Sequence, residues 1–177
     1  MRGTLAQQLE KLNAELDELH RHLQTYSNEQ LNRQPDNGGW SALQALYHIY
    51  LVEGYAVKYC RKKLSFNPEI RKAGLWSRFN RTLVIAYLSS PFKFKAPKAV
   101  NTGAFPETIE MEPFMAQWKD QRATLKDFLL EVPDKYLDTA LYKHPFGGRL
   151  SLQGMLAFLS THWKRHRKQA LRALSVL

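Results

Sequence analysis

The chain has little that would staple, anchor or export it. Its 177 residues hold one cysteine, Cys60. An internal disulfide is therefore excluded, and a reducing compartment is the expectation. The first stretch, MRGTLAQQLEKLNAEL, has neither an apolar core nor a small-residue cleavage site, so it does not read as a signal peptide. Long hydrophobic runs are also missing. Stretches free of Lys, Arg, Asp and Glu, such as 37–52, fall short of the roughly 20 apolar residues that a membrane span needs. No transmembrane segment is expected, and a soluble cytoplasmic protein is.

Acidic residues are scarce in one region. Between Lys58 and Lys98 there are eleven Lys or Arg against one acid, Glu69. The remainder carries 15 bases and 15 acids, so the net charge of +10 is a regional feature. Such a region suits an anionic partner: nucleic acid, anionic lipid or a small anionic substrate. The plainer reading is a solvated surface. The basic stretches lack the aromatic interleaving of single-strand binders, which weighs against nucleic acid.

What is present describes a globular chain. Hydrophobic residues make up 44% and aromatics 12%, with no internal repeat and no low-complexity segment. The length suits one domain over 1–177. Leu5, Leu9, Leu12, Leu16, Leu19 and Leu23 alternate spacings of four and three, which predicts a helix of about 20 residues with one apolar face. Thr4 with Gln7 reads as its capping box. NEQLNRQPDNGG reads as a turn-rich connection.

A second helix is predicted after Ser41, with Gln44 three residues on. From Leu43 to Val57 it is apolar nearly all round, the mark of a buried helix, and His48 lies in its middle. Leu75, Trp76, Phe79, Leu83 and Tyr87 predict a short amphipathic helix, and SSPFKFKAPKAVNTGAFP a long loop. A third long helix is predicted from about Glu112 to Glu131, with Pro113 in its first turn. VPDKYLDTALYKHPFGGRL reads as a connection, and a last helix runs from Ser151 nearly to Leu177. Four long helices without alternating strands predict an all-α four-helix bundle, with a short extra helix and a long loop between the second and third.

On the last helix, at 100° per residue, Leu152, Leu156, Leu159, Trp163, Ala170, Leu174 and Leu177 form one apolar stripe. His162 and His166 fall on its edge, facing inward, while Lys164, Arg165, Lys168 and Arg172 lie opposite. Two adjacent buried imidazoles need partners for both ring nitrogens, and a metal ion would satisfy both. The i, i+4 spacing resembles the helical zinc motif H-E-x-x-H, but here it reads H-W-K-R-H, without the glutamate base of those proteases. His48 is the other histidine whose context demands burial, and a third ligand. His20 and His22 lie off the leucine stripe and are expected to be exposed; His144, in KHPFGG, is expected to shape its turn.

Two stretches carry a family resemblance. GGWSALQALYHIYLVEG resembles the second-helix signature of DinB/YfiT-like proteins: Trp-Ser, an apolar run, and a histidine eight residues after the tryptophan. HPFGGRLSLQGMLAFLSTHWKRHRKQ resembles the closing signature, a His-Pro-Phe-Gly-like turn, a helix, then His-xxx-His-xx-Gln. The resemblance implies an up-down-down-up bundle, usually a homodimer. It also implies a divalent ion, nickel or zinc most often, held by the positions matching His48, His162 and His166. Gln169 matches the closing glutamine, without an assigned role. Relatives of this kind include transferases and isomerases that use low-molecular-weight thiols, and others are named as metal-dependent hydrolases.

Two functions follow as expectations. One is a metal-dependent enzyme, a thiol-dependent S-transferase or a hydrolase, acting on a small anionic substrate. Its catalytic group would be water or a thiolate at the ion's open position, since three imidazoles leave one free. Lys93, Lys95 and Lys98 are the candidates to bind the substrate's charge. The other is a non-catalytic binding protein with a structural or vestigial metal site, its 58–98 region contacting an anionic partner.

Overall fold

The computed structural model describes residues 2–36, 38–90, 97 and 100–176. The leucine repeat builds α1 (Arg2–Leu23), and all six of its leucines are buried. Thr4 lies inside this helix and caps nothing, because the helix already runs from Arg2. The connection after it holds one further helical turn, α2 (Asn28–Asn32), closed by a capping box between Ser27 and Gln30. Ser41 starts α3 (Ala42–Leu64): its hydroxyl accepts from the Gln44 N–H at 3.1 Å, and the Gln44 side chain accepts the Ser41 N–H at 3.1 Å.

Beyond α4 (Leu75–Ser89) and a 3-10 turn at Thr102–Ala104 come α5 (Met111–Glu131) and the single turn α6 (Asp134–Leu137). The following connection is partly ordered as an antiparallel hairpin, β1 (Tyr142–His144) and β2 (Gly148–Leu150). The last helix is α7 (Leu152–Leu174), with the Ser151 hydroxyl accepting from the Gly154 N–H at 3.1 Å. The fold is all-α, as the periodicities predict.

The core fixes the direction of each long helix. One cluster joins Leu5 and Leu9 of α1 and Leu152–Leu159 of α7 with Val57 and Cys60 of α3 and Leu125–Leu129 of α5. The other joins the opposite halves: Leu16–Leu23, Leu43–Ile49, Phe114–Trp118 and Trp163–Leu174. Hence α1 and α7 run one way and α3 and α5 the other, an up-down-down-up bundle. Helix α3 makes its most extensive packing against α7.

A buried ion pair ties three of these helices. Glu53 on α3 accepts from Arg122 of α5 through both oxygens, at 2.8 and 3.1 Å, and from the Trp118 indole N–H at 2.7 Å. Arg122 also donates to the Leu12 carbonyl of α1 and lies 5.3 Å from the ring centres of Trp118 and Trp163. Each side-chain nitrogen and oxygen of this pair has at least one hydrogen-bond partner, as a pair this deeply buried requires. It fixes α3, and so His48, against the rest of the bundle.

Helix α4 forms where predicted, and its large apolar residues turn outward. Its buried residues are Ser77, Val84 and Leu88, while Leu75, Trp76, Phe79 and Leu83 point outward. The Arg165 guanidinium of α7 seals its C-terminus by donating to the Leu88 and Ser90 carbonyls at 2.9 and 2.7 Å. The hairpin tip rests on the same helix so closely that a Cβ at Gly147 would collide with the Val84 side chain.

Candidate metal centre

The capping box at Ser41 sets the phase of α3 so that His48, two turns in, faces α7. On α7 the stripe of Leu152, Leu156, Leu159 and Trp163 is fully buried, and His162 and His166 sit at its margin. The two helices bring the three imidazoles together. Their relative exposures are 4%, 8% and 8%, so all three are effectively removed from water. The Nε2 of His162 lies 3.3 Å from Nε2 of His48 and 3.1 Å from Nε2 of His166, and all three ligand atoms fall within 4.8 Å of one another.

A hydrogen-bonding assignment alone does not satisfy this cluster. His48 Nδ1 lies 2.6 Å from the Val100 carbonyl, which can only accept, so Nδ1 carries the proton and Nε2 presents a lone pair inward. At most one N–H could then point into the space between the three Nε2 atoms. The Nδ1 atoms of His162 and His166 are buried and have no hydrogen-bond partner among the described residues. Gln169 approaches His166 and offsets part of its pKa shift without closing a bond to that nitrogen.

Electrostatics keep the cluster neutral. Burial is the main cause in every case. It lowers the pKa of His48, pushes His166 down to about 3, and takes His162 well below its ordinary value. Mutual repulsion among the imidazolium forms and the nearby Arg165 adds to the shifts of His162 and His166. Neutral imidazole is the metal-binding form, so protons do not compete at physiological pH.

The residues fit a divalent cation by geometry and by donor chemistry. Nitrogens bonded at about 2.0–2.1 Å are separated by roughly 3.3 Å in a tetrahedral shell and roughly 2.9 Å in an octahedral one. Two of the three separations, 3.1 and 3.3 Å, fall within that range. Three imidazoles with no carboxylate or thiolate form a neutral, borderline-soft set that suits zinc, nickel, copper or iron rather than calcium or magnesium.

The family's sequence model, described as the DinB superfamily, matches residues 11–170. The chain belongs to the DinB superfamily. Neither the curated proteins nor the solved structures give a match.

In this DinB-superfamily chain the walls of the site are aromatic. Trp40 stands just before α3, with its ring centre 5.1 Å from that of His48 and stacked at 5.9 Å on His166. Phe158, one turn ahead of His162, stacks on it at 5.4 Å. Phe105 packs edge-on against Trp40. Such walls exclude water and sharpen any charge inside.

Other sequence expectations resolve individually. His144 does shape its turn: Nδ1 accepts the N–H groups of Phe146 and Gly147 at 3.2 and 2.9 Å, and burial lowers its pKa to about 4. It stands apart from the cluster, behind Phe158. His22 is exposed, but His20 is half-buried and bonded to Glu112 at 3.0 Å, because α5 packs along that side of α1. Lys93, Lys95 and Lys98 lie outside the described residues. Sequence reasoning missed the Val100 carbonyl, for which no side-chain signal exists. It also gave Trp40 no role at the site and left Glu53 without a partner. An acid on a helix apolar all round was the signal for a buried cation.

Proposed function

We propose that this chain is a metal-dependent enzyme in which His48, His162 and His166 hold one divalent ion, nickel or zinc. It transfers a low-molecular-weight thiol to a small electrophile that carries an anionic group. The observation that carries this reading is the convergence of three buried imidazoles whose candidate ligand nitrogens lie within 4.8 Å of one another. A divalent ion at that point supplies positive charge that brings a thiol or a water in its open position to ionise near neutral pH.

The chain's own residues fill defined parts in this reading. The Val100 carbonyl holds His48 in the tautomer that presents Nε2. Trp40 and Phe158 keep bulk water from the imidazoles. Cys60 takes no part, since it is buried in the core with its thiol pushed up to about 12; the thiol must come from outside.

Transfer is preferred to hydrolysis because of the acids. Among the described residues Glu53 is the one buried carboxylate, and Arg122 and Trp118 occupy both its oxygens. Among the described residues no carboxylate joins the imidazole cluster to serve as general base, which attack by water needs more than attack by a thiolate. Lys93, Lys95 and Lys98 are the proposed anchors for the anionic group. Val100, whose carbonyl reaches the site, follows Lys98 by two positions.

The test is a matrix of electrophiles and cellular thiols, run with nickel, with zinc and with chelator. Thiol consumption that needs metal and disappears in His48→Ala supports transfer. Turnover of esters or amides with no thiol present would make the enzyme a hydrolase. A protein that binds metal and gains thermal stability, but turns over nothing in the matrix, would favour the non-catalytic alternative with a structural ion.

A further inference from the structure

The charge and the apolar surface of this molecule fall on one side, and the fold is what brings them together. Residues 70–90 contain no Asp or Glu and four Lys or Arg. Residues 141–177 likewise contain no acid and seven bases. The two segments are far apart in the chain, yet α4 of the first packs against α7 and β2 of the second. The acids are confined mainly to α1, α5 and the connections next to them. Glu69 and Asp138 border the basic side near the start of α4, where the Asp138 carbonyl accepts the Ala73 N–H. Arg167 turns to the opposite side, where it pairs with Glu18 at 2.9 Å.

At the centre of this side lies the outward face of α4. Leu75, Trp76, Phe79 and Leu83 are 81%, 77%, 52% and 50% exposed, and Trp76 and Phe79 meet edge to face at 5.8 Å. At 100° per residue they span an arc of about 100°, with Ala86 inside it and Arg78 on its flank. Among the described residues nothing covers this arc. Lys143 and Arg149 of the hairpin that rests on α4 are exposed as well, and so is Arg78. Among the described residues no helix is long and apolar enough to cross a membrane.

We propose that the outer face of α4 docks this protein onto the surface of an anionic lipid bilayer. Leu75, Trp76, Phe79 and Leu83 enter the boundary between headgroups and acyl chains, and the surrounding Arg78, Lys143 and Arg149 meet lipid phosphates. Aromatic and leucine side chains ringed by bases are the composition of an interfacial helix. Charge decides against a second copy on this face. A two-fold contact would set the same basic surface against itself, with carboxylates only at its border, Glu69 and Asp138. An anionic bilayer satisfies the apolar and the basic groups at once.

Flotation of the full chain tests this, with vesicles of phosphatidylcholine alone and of phosphatidylcholine containing about 30 mol % phosphatidylserine. The protein should float with the second and not the first, and high salt should release it. Trp76→Ser with Phe79→Ser should weaken binding more than tenfold with an unchanged far-ultraviolet spectrum, since both side chains are exposed. Arg78→Gln with Arg149→Gln should weaken it roughly tenfold, and only on the anionic vesicles. In a measurement that needs no folded variant for its positive result, tryptophan emission of the wild type should shift to the blue on adding anionic vesicles. Failure to float with anionic vesicles overturns the proposal. So does a solution dimer that Phe79→Ser with Leu83→Ser converts to monomer, which would assign the face to a second copy.

Discussion

The Nε2 atoms of His48 and His162 lie 3.3 Å apart across the α3–α7 interface, and the other ring nitrogen of His48 donates to the Val100 carbonyl at 2.6 Å. These contacts give His48 one defined tautomer and one inward lone pair. A backbone carbonyl thus orients this imidazole, the arrangement by which metal-binding histidines are commonly held. Replacing Trp40 with Ala removes the ring stacked on His166 and leaning on His48, and opens the site to water. Metal affinity measured by competition with a chromogenic chelator should fall by about tenfold or more, with the helix content unchanged.

The buried pair Glu53–Arg122 gives a stability prediction independent of metal. Glu53→Gln leaves Arg122 without its countercharge inside the core. It should cost about 3–5 kcal/mol in urea unfolding. Glu53→Leu combined with Arg122→Met should cost less than either single change, because no uncompensated charge remains.

Acid should destabilise the metal-free protein well above the usual carboxylate range. Burial depresses the pKa of His144 to about 4, while the unfolded chain titrates near 6.5. The folded state therefore binds fewer protons between those values. Stability is fully present above about pH 6.5 and is lost as pH falls toward 4. For His144 the loss approaches roughly 3 kcal/mol, and protonation of Nδ1 also breaks its bonds to the Phe146 and Gly147 N–H groups. In chelator-treated protein, His144→Gln should flatten the fall in unfolding free energy between pH 6.5 and 4. A slope unchanged by that substitution would contradict the assignment.

Cys60 should be chemically silent in the folded state. Its thiol is buried and its pKa pushed up to about 12, so almost no thiolate exists at neutral pH. A disulfide reagent should react with less than about a tenth of the thiol until denaturant is added, and then with one equivalent. Rapid reaction without denaturant would show that the core around Met155 opens.

The histidine cluster was legible in the sequence because burial of a histidine is a demand that side-chain patterns reveal. His48 sits on a helix apolar all round, and His162 and His166 sit on the margin of an apolar stripe. The bundle was legible through Leu5–Leu23 and the capping box of Ser41 with Gln44, whereas the box expected at Thr4 falls inside α1. The facing of α4 was not. Periodicity shows that Leu75, Trp76, Phe79 and Leu83 share a face, but says nothing of whether that face turns in or out. Here Ser77, Val84 and Leu88 turn in, with Val84 packed so closely on the hairpin that Gly147 leaves no room there for a Cβ. The Val100 carbonyl lay beyond sequence reasoning altogether, since every residue carries one. His20 was misread because its partner Glu112 comes from another helix.

The most direct measurement is the metal content of protein purified without chelators, read by plasma mass spectrometry for the wild type and for His48→Ala, His162→Ala and His166→Ala. The three-histidine site predicts close to one equivalent of nickel or zinc in the wild type, and less than about a tenth in each folded variant. A wild type that binds less than about a tenth of an equivalent after incubation with either ion, or variants that keep the full complement, would contradict it.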